Sequence, residues 1–257
     1  MMSLLNFIKQ RITYRTRLKI RFKLRSLKAF FFSGNLDKIA LIQKTDKNGF
    51  HFYTQHYDRH FRDLKYKKIK MLEIGVGGYD NPIVGGESLR MWKTYFPFAK
   101  IFALDIFEKS FLEERRIKIF KGSQVDLNFL DEVCSTAGPF DLIIDDGSHI
   151  NDHVITSFEF LFPKLKAGGI YVVEDTQTSY WEEYGGTSDN LNREGTIYHF
   201  FKGLIDALNN EEFLIDGYKK TYYDKNIISM HFYHNMIFIY KGNNDELSNL
   251  VRNNKLK

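Results

Sequence analysis

The side chains best placed to do chemistry together close two apolar runs in the middle of the chain. Ile143-Ile144-Asp145-Asp146-Gly147-Ser148-His149 carries an acid and, three residues later, an imidazole; Val172-Val173-Glu174-Asp175 ends in two more acids. If the runs are neighbouring strands of one sheet, Asp146, Glu174 and Asp175 face one crevice. Carboxylates at such separation repel and drive one another's pKa up. A hard divalent cation, Mg²⁺ or Mn²⁺, resolves the conflict, because it prefers oxygen ligands and keeps positions open for water or substrate. Asp146, Glu174 and Asp175 are therefore the expected metal ligands. Adjacent acceptor hydroxyls could chelate such an ion. His149 is the expected general base, since an imidazole suits proton removal near neutral pH. His153 lies four residues further on. Without a glutamate beside the first histidine the pair is not a metalloprotease motif, and His153 reads as a helix-face residue.

A second signal lies upstream. Met71-Leu72-Glu73-Ile74-Gly75-Val76-Gly77-Gly78 is a strand entering a glycine turn, where the backbone can approach a ligand closely. A dinucleotide fingerprint would need a third glycine where Asp80 stands, and the turn runs on through Asn81-Pro82 to Gly85-Gly86 before a helix can start at Ser88. Both features favour a ligand without phosphates. Asp105 closes the next strand, placed to accept hydrogen bonds from ribose hydroxyls, and Gly122-Ser123-Gln124 could edge an adenine. The candidate cofactor contacts are Glu73, Gly75, Gly77, Ser88, Asp105, Ile106, Ser123, Gln124, Asp126 and Asp145.

The elements that must position these residues alternate. Strands are expected at Lys70–Ile74, Lys100–Asp105, Ile117–Lys121, 141–145 and 170–174, with helices at 88–95, 108–115, 127–135 and 153–165 between or beside them. Strand–helix alternation implies a parallel sheet covered on both faces. A further helix at 196–209 and a hairpin of strands 226–232 and Met236–Lys241 follow. Five parallel strands plus a terminal hairpin, one of its strands antiparallel, is the α/β layout of a class I S-adenosylmethionine (SAM) methyltransferase, Rossmann-like and seven-stranded. Residues 176–194 form a long polar connection in which Tyr180, Trp181 and Tyr184 could cover an acceptor as a lid.

Charge is distributed unevenly. The formal net charge is +5, yet nine Lys or Arg lie between Lys9 and Lys28 and no acid precedes Asp37, so the rest carries 28 basic against 32 acidic residues. Residues 1–36 are expected to be a basic N-terminal arm on a methyltransferase domain at 37–257. Leu4, Leu5, Ile8 and Ile12 have helical spacing, but apolar and basic residues alternate over 14–25, which favours an extended arm over an amphipathic helix. Such an arm would pack on the body or on a second subunit of a homodimer or higher homo-oligomer, or be drawn to a polyanionic substrate or to anionic lipid, making the protein membrane-peripheral. No recognition module supports nucleic-acid binding. No run approaches a transmembrane span, no signal-peptide block is present, and the single cysteine, Cys134, suits a reducing compartment; a cytoplasmic protein is expected.

The blocks LEIGVGGYDNP, GGESLRMWKTYFP, IIDDGSHI, LFPKLKAGGIYVVEDTQTSYW and EEYGG, within residues 43–186, resemble the metal-dependent sugar O-methyltransferases of macrolide and tetracenomycin biosynthesis. The resemblance implies SAM and Mg²⁺ as cofactors, Asp146, Glu174 and Asp175 as ligands, His149 as base, and a SAM-binding role for the region from Thr45-Asp46-Lys47 to Tyr57. The chain is also similar to methyltransferases of bacterial capsule gene clusters that modify nucleotide-activated heptoses. It is expected to methylate a sugar hydroxyl, on a nucleotide sugar such as a GDP-heptose or on another glycan. The competing readings are a metal-dependent catechol or natural-product O-methyltransferase, which would need an apolar slot for a planar ring, and a non-catalytic SAM-fold binding protein, which would not need converging acids and a base.

Overall fold

Apolar residues of the central strands sort by parity onto two faces, and each face collects its own core. The computed structural model describes residues 13–256. Strands β1 (Lys70–Ile74), β2 (Lys100–Asp105), β3 (Ile117–Lys121), β4 (Phe140–Asp145) and β5 (Leu165–Glu174) are parallel, and β6 (Ile227–Tyr233) and β7 (Met236–Lys241) form the hairpin. The sheet order is β3-β2-β1-β4-β5-β7-β6, with β7 antiparallel to β5. The expected seven-stranded α/β layout is the one observed. A separate pair, β8 (Val251–Arg252) and β9 (Lys255–Leu256), closes the described chain.

Side chains alternate across a strand, so Met71, Leu142, Ile144, Val172 and Phe238 face one layer while Leu72, Ile143, Tyr171, Val173 and Ile239 face the other. The first layer is covered by α2 (Leu36–Gln43), α3 (Thr54–Phe61) and α4 (Glu87–Tyr95) through Ile39, Tyr57, Phe61 and Trp92. The second is covered by α5 (Leu127–Ala137), α6 (Asn151–Lys164) and α7 (Ile197–Gly203) through Leu130, Phe158 and Phe201.

Three expectations about elements are corrected. Residues 108–115 form only a single 3₁₀ turn, Ser110–Leu112. Their polar groups serve other partners: the Glu108 carboxylate takes the Ser110 amide, and buried Lys109 donates to the Asn81 and Val84 carbonyls. The helix expected over 196–209 breaks after Gly203, a weak helix former, into α7 and the one-turn α8 (Ile205–Leu208). The arm is not extended over 14–25. Tyr14–Phe30 is a helix, α1, capped by the Thr13 hydroxyl on the Thr16 amide and packed against α2 and α4. Alternate residues on a helix are 200° apart, so period-two alternation also describes a helix with two opposite apolar faces. The helical spacing of Leu4, Leu5, Ile8 and Ile12 lies outside the described residues. A short helix α9 (Tyr222–Asn226) leads into β6.

His60 on α3 binds this helix to the hairpin. Its ring nitrogens meet the Tyr240 hydroxyl at 2.7 Å and the Tyr233 hydroxyl at 2.9 Å, and the ring stacks on Phe238. Burial, with His231 and Arg59 nearby, lowers its pKa from 6.5 to about 4. The unfolded chain binds this proton near pH 6.5, whereas the native state binds it only near pH 4. The contribution of neutral His60 is therefore complete above pH 6.5 and is lost as pH falls towards 4. Urea-unfolding midpoints should decline over that window, and less steeply in His60→Phe; parallel curves would exclude His60 as the cause.

Candidate active site

The register that sets Asp145 opposite Val173 brings the next residues, Asp146 and Glu174, together at the carboxyl ends of β4 and β5. Both chains then leave the sheet through left-handed residues, His149 at φ 57° and Asp175 at φ 52°. Non-glycine residues in this region are strained and cluster at functional sites. Asp146, His149 and Asp175 each offer an atom to a group lying within 4.8 Å, and His149 Nε2 is 3.7 Å from Asp175 Oδ2.

A buried cation sits among these acids. Lys47 is fully buried, and its Nζ donates to Asp146 Oδ2 at 2.7 Å and to Glu174 Oε1 and Oε2 at 2.6 and 2.8 Å. Burial would lower the lysine's pKa, but the two carboxylates raise it well above its ordinary value, so the ammonium persists. Glu174 also accepts from the Tyr57 hydroxyl. Burial and Asp146 push its carboxyl up, against Lys47 and Tyr57. Burial pushes Asp175 up too, but the Tyr53 hydroxyl at 2.6 Å, with His149 and His51, outweighs it and holds this carboxyl below its ordinary value. The three expected ligands thus converge: Glu174 is turned to Lys47 and Tyr57, Asp146 shares Lys47 through Oδ2, and Asp146, His149 and Asp175 each keep an atom facing a common space. The carboxylates of Asp146 and Asp175, in a place that already holds one cation, fit a hard divalent ion, with the His149 imidazole beside them. Tyr57, expected against the cofactor, instead touches Glu174.

A cleft of about 610 Å³ opens from these residues. Of the expected cofactor contacts, Gly75, Gly77, Asp105, Ile106, Ser123 and Gln124 line it. Gly77, at φ 77°, has open space where a Cβ would be, as a backbone approached by a ligand requires. At Gly75 the need is internal: a Cβ there would lie 2.1 Å from the Asp146 carbonyl oxygen. The Asp105 carboxylate takes the Val76 amide at 2.9 Å and the Phe107 amide at 2.8 Å, each oxygen retaining acceptor capacity. Gln124 accepts from the Ser148 amide at 2.8 Å and donates to Ser157 at 2.9 Å, tying β3's end to the His149 loop.

Glu73, Ser88, Asp126 and Asp145 lie off the cleft wall. Buried Glu73 accepts from the Ser88 hydroxyl and the Trp92 indole, so Glu73 and Ser88 shape the glycine turn from behind. Burial pushes the carboxyls of Glu73 and Asp145 up to about 7. Asp126 caps α5 by accepting from the Asn128 and Phe129 amides, both at 3.1 Å. Tyr184 lines the cleft and its ring centroid is 5.9 Å from that of Trp181, whereas Tyr180 packs on Tyr198. Buried Asn151 pins this segment, donating to the Thr178 and Tyr184 carbonyls at 3.0 and 2.8 Å and accepting from the Ile197 amide at 2.7 Å. The lid expected at 176–194 is thus a folded rim in this structure.

Residue spacing missed Lys47, Tyr53, Asn151 and His153. His153 lies on α6, as expected of a helix-face residue, and its face lines the cleft, with Nδ1 2.9 Å from the Ser148 hydroxyl. The clue for Lys47 was available, since three acids meeting in a crevice call for a cation, but nothing in the spacing said that an upstream lysine reaches it.

No family model matches the chain. It is similar to the mycinamicin VI 2''-O-methyltransferase of Micromonospora griseorubida, 50% identical over 214 residues, 82% of this chain and 54% of that protein. It is also similar to the 8-demethyl-8-alpha-L-rhamnosyl tetracenomycin-C 2'-O-methyltransferase of Streptomyces olivaceus, 42% identical over 207 residues, 80% of this chain and 54% of that protein. The solved structure of the methyltransferase MycE from the mycinamycin biosynthetic pathway, in complex with Mg and SAH, matches with a TM-score of 0.81 at 48% identity, over 83% of this chain and 55% of that one. The chain spans about half the length of the relatives it matches. This chain belongs to the family of these sugar O-methyltransferases, and its fold is that of a class I methyltransferase.

Proposed function

We propose that the chain is a SAM- and divalent-metal-dependent O-methyltransferase that methylates a sugar hydroxyl, with a nucleotide-activated sugar for capsule or other glycan synthesis as its acceptor. The observation that carries this reading is one continuous cleft: Gly77, Asp105, Ile106 and Ser123 stand at one end, Asp146, His149 and Asp175 at the other. That the related structure is a complex with Mg and SAH supports the cofactor assignment.

SAM, when bound, supplies an electrophilic methyl group, and a divalent cation supplies Lewis acidity to the acceptor hydroxyls. Asp105 is assigned the ribose hydroxyls, and Ile106 and Ser123 the adenine edge. Asp146 and Asp175 would hold the cation, with Glu174 joining them only when Lys47 Nζ turns away. His149 takes the proton of the attacking hydroxyl, and the Asp175 carboxylate, 3.7 Å from its Nε2, would stabilise the imidazolium that forms. Tyr184, with Trp181 beyond it, offers flat faces to the C–H surface of a sugar; Tyr180 continues this rim.

Incubation with SAM and a panel of nucleotide sugars and free glycosides should release S-adenosylhomocysteine with at least one sugar. Thorough chelation should abolish this release and Mg²⁺ or Mn²⁺ restore it; turnover indifferent to metal removal would sink the metal-dependent reading. His149→Ala should lower kcat by about 10²–10⁴-fold with S-adenosylhomocysteine affinity unchanged by calorimetry, whereas a near-normal rate removes His149 as base. Lys47→Met leaves Asp146 and Glu174 without their counter-charge. In metal-free buffer it should cost about 3–5 kcal/mol of stability, and added Mg²⁺ should restore much of the loss. Wild-type stability without metal would show that the ammonium is dispensable.

A further inference from the structure

Helix α1 has an apolar face that the fold leaves uncovered. Ile20, Leu24 and Leu27, with Phe31 at the C-cap, recur at spacings of four, three and four residues and are 43%, 60%, 59% and 77% exposed. Helical geometry gathers them into one narrow stripe. The opposite side of the helix is the one the body uses: Ala29 is buried, and Phe22 packs against the core with the Arg90 guanidinium 3.9 Å from its ring centroid. Arg21 and Lys28 border the outer stripe along one edge and Lys23 along the other, all exposed. Among the described residues nothing lies over this stripe, and no helix is long and apolar enough to cross a membrane.

The geometry points to an interfacial helix: α1 docks its outer stripe on an anionic lipid surface, lying in the plane of the membrane. Charge complementarity selects this occupant. A second copy laying the same stripe against its twin would set rows of lysine and arginine face to face, with no acid on either helix to offset them. The boundary between acyl chains and headgroups meets both demands at once. Leucine and phenylalanine enter below the phosphates, while ammonium and guanidinium groups stay level with them. Lipid docking by α1 requires nothing of the methyl-transfer site.

The test is sedimentation of the full chain with vesicles of phosphatidylcholine alone and of phosphatidylcholine mixed with phosphatidylglycerol. The wild type should sediment with the mixed vesicles, not with the neutral ones, and high salt should release it. The double variant Leu24→Ser/Leu27→Ser should bind at least about tenfold more weakly. The triple variant Arg21→Gln/Lys23→Gln/Lys28→Gln should lose a comparable factor by removing charge alone. These side chains point to solvent, so thermal unfolding should match the wild type. If the serine variant unfolds early, the triple variant decides. Equal binding to both vesicle types, or none to either, overturns the inference, as does triple-variant binding at wild-type strength. A wild-type oligomer that the serine variant dissociates, seen by light scattering, would assign the stripe to a second copy instead.

Discussion

Two strands of a parallel sheet that end side by side in acids create an electrostatic problem that the rest of the site answers. Buried Glu174 calls for a cation, because desolvation and the neighbouring Asp146 carboxylate both push its carboxyl up. The protein supplies one from its own chain, the Lys47 ammonium, within hydrogen-bond reach of both carboxylates. Once the lysine is there, the segment around it is tied down as well. Tyr57 reaches Glu174 and Tyr53 reaches Asp175, so α3 and the turn before it are held against the ends of β4 and β5. His60 then joins α3 to the hairpin. The amino-terminal helices are thereby part of the site's wall and of the fold's core at once.

The same constraint explains why the glycine turn and the acid loop share one cleft. Gly75 has no Cβ because the Asp146 carbonyl passes where that atom would lie, so the glycine turn and the acid loop are in direct backbone contact. Gln124 bridges from the end of β3 to the Ser148 amide in the same loop. Gly77 and Asp105 therefore line the same cleft as Asp146 and His149. The strained backbone at His149 and Asp175 is held by this surrounding network, as strain at functional sites generally is.

What spacing and residue type could reveal here was local. Apolar runs ending in acids and glycines after the first strand placed β1 to β4 and the carboxyl half of β5, because burial on both faces of a sheet leaves a strong imprint. Local reasoning failed where partners come from far away. Residues 108–115 have the composition of a helix, yet Lys109 is spent on carbonyls of the glycine turn. The alternation over 14–25 admits an extended strand or a two-faced helix, and only packing of Phe22 and Ala29 on the body chooses the helix.

By itself, then, the sequence determined the α/β class, the strand ends that line the cleft, and the convergence of Asp146, Glu174 and Asp175 given neighbouring strands. Tertiary structure alone decided what each acid touches. Glu174 turns to Lys47 and Tyr57, Asp126 caps a helix, and Asp105 braces the turn while facing the cleft. The physical reason is that hydrogen-bond partners for a buried carboxylate are chosen by proximity in space. For Glu174 that partner lies 127 residues away along the chain, beyond the range of any local pattern.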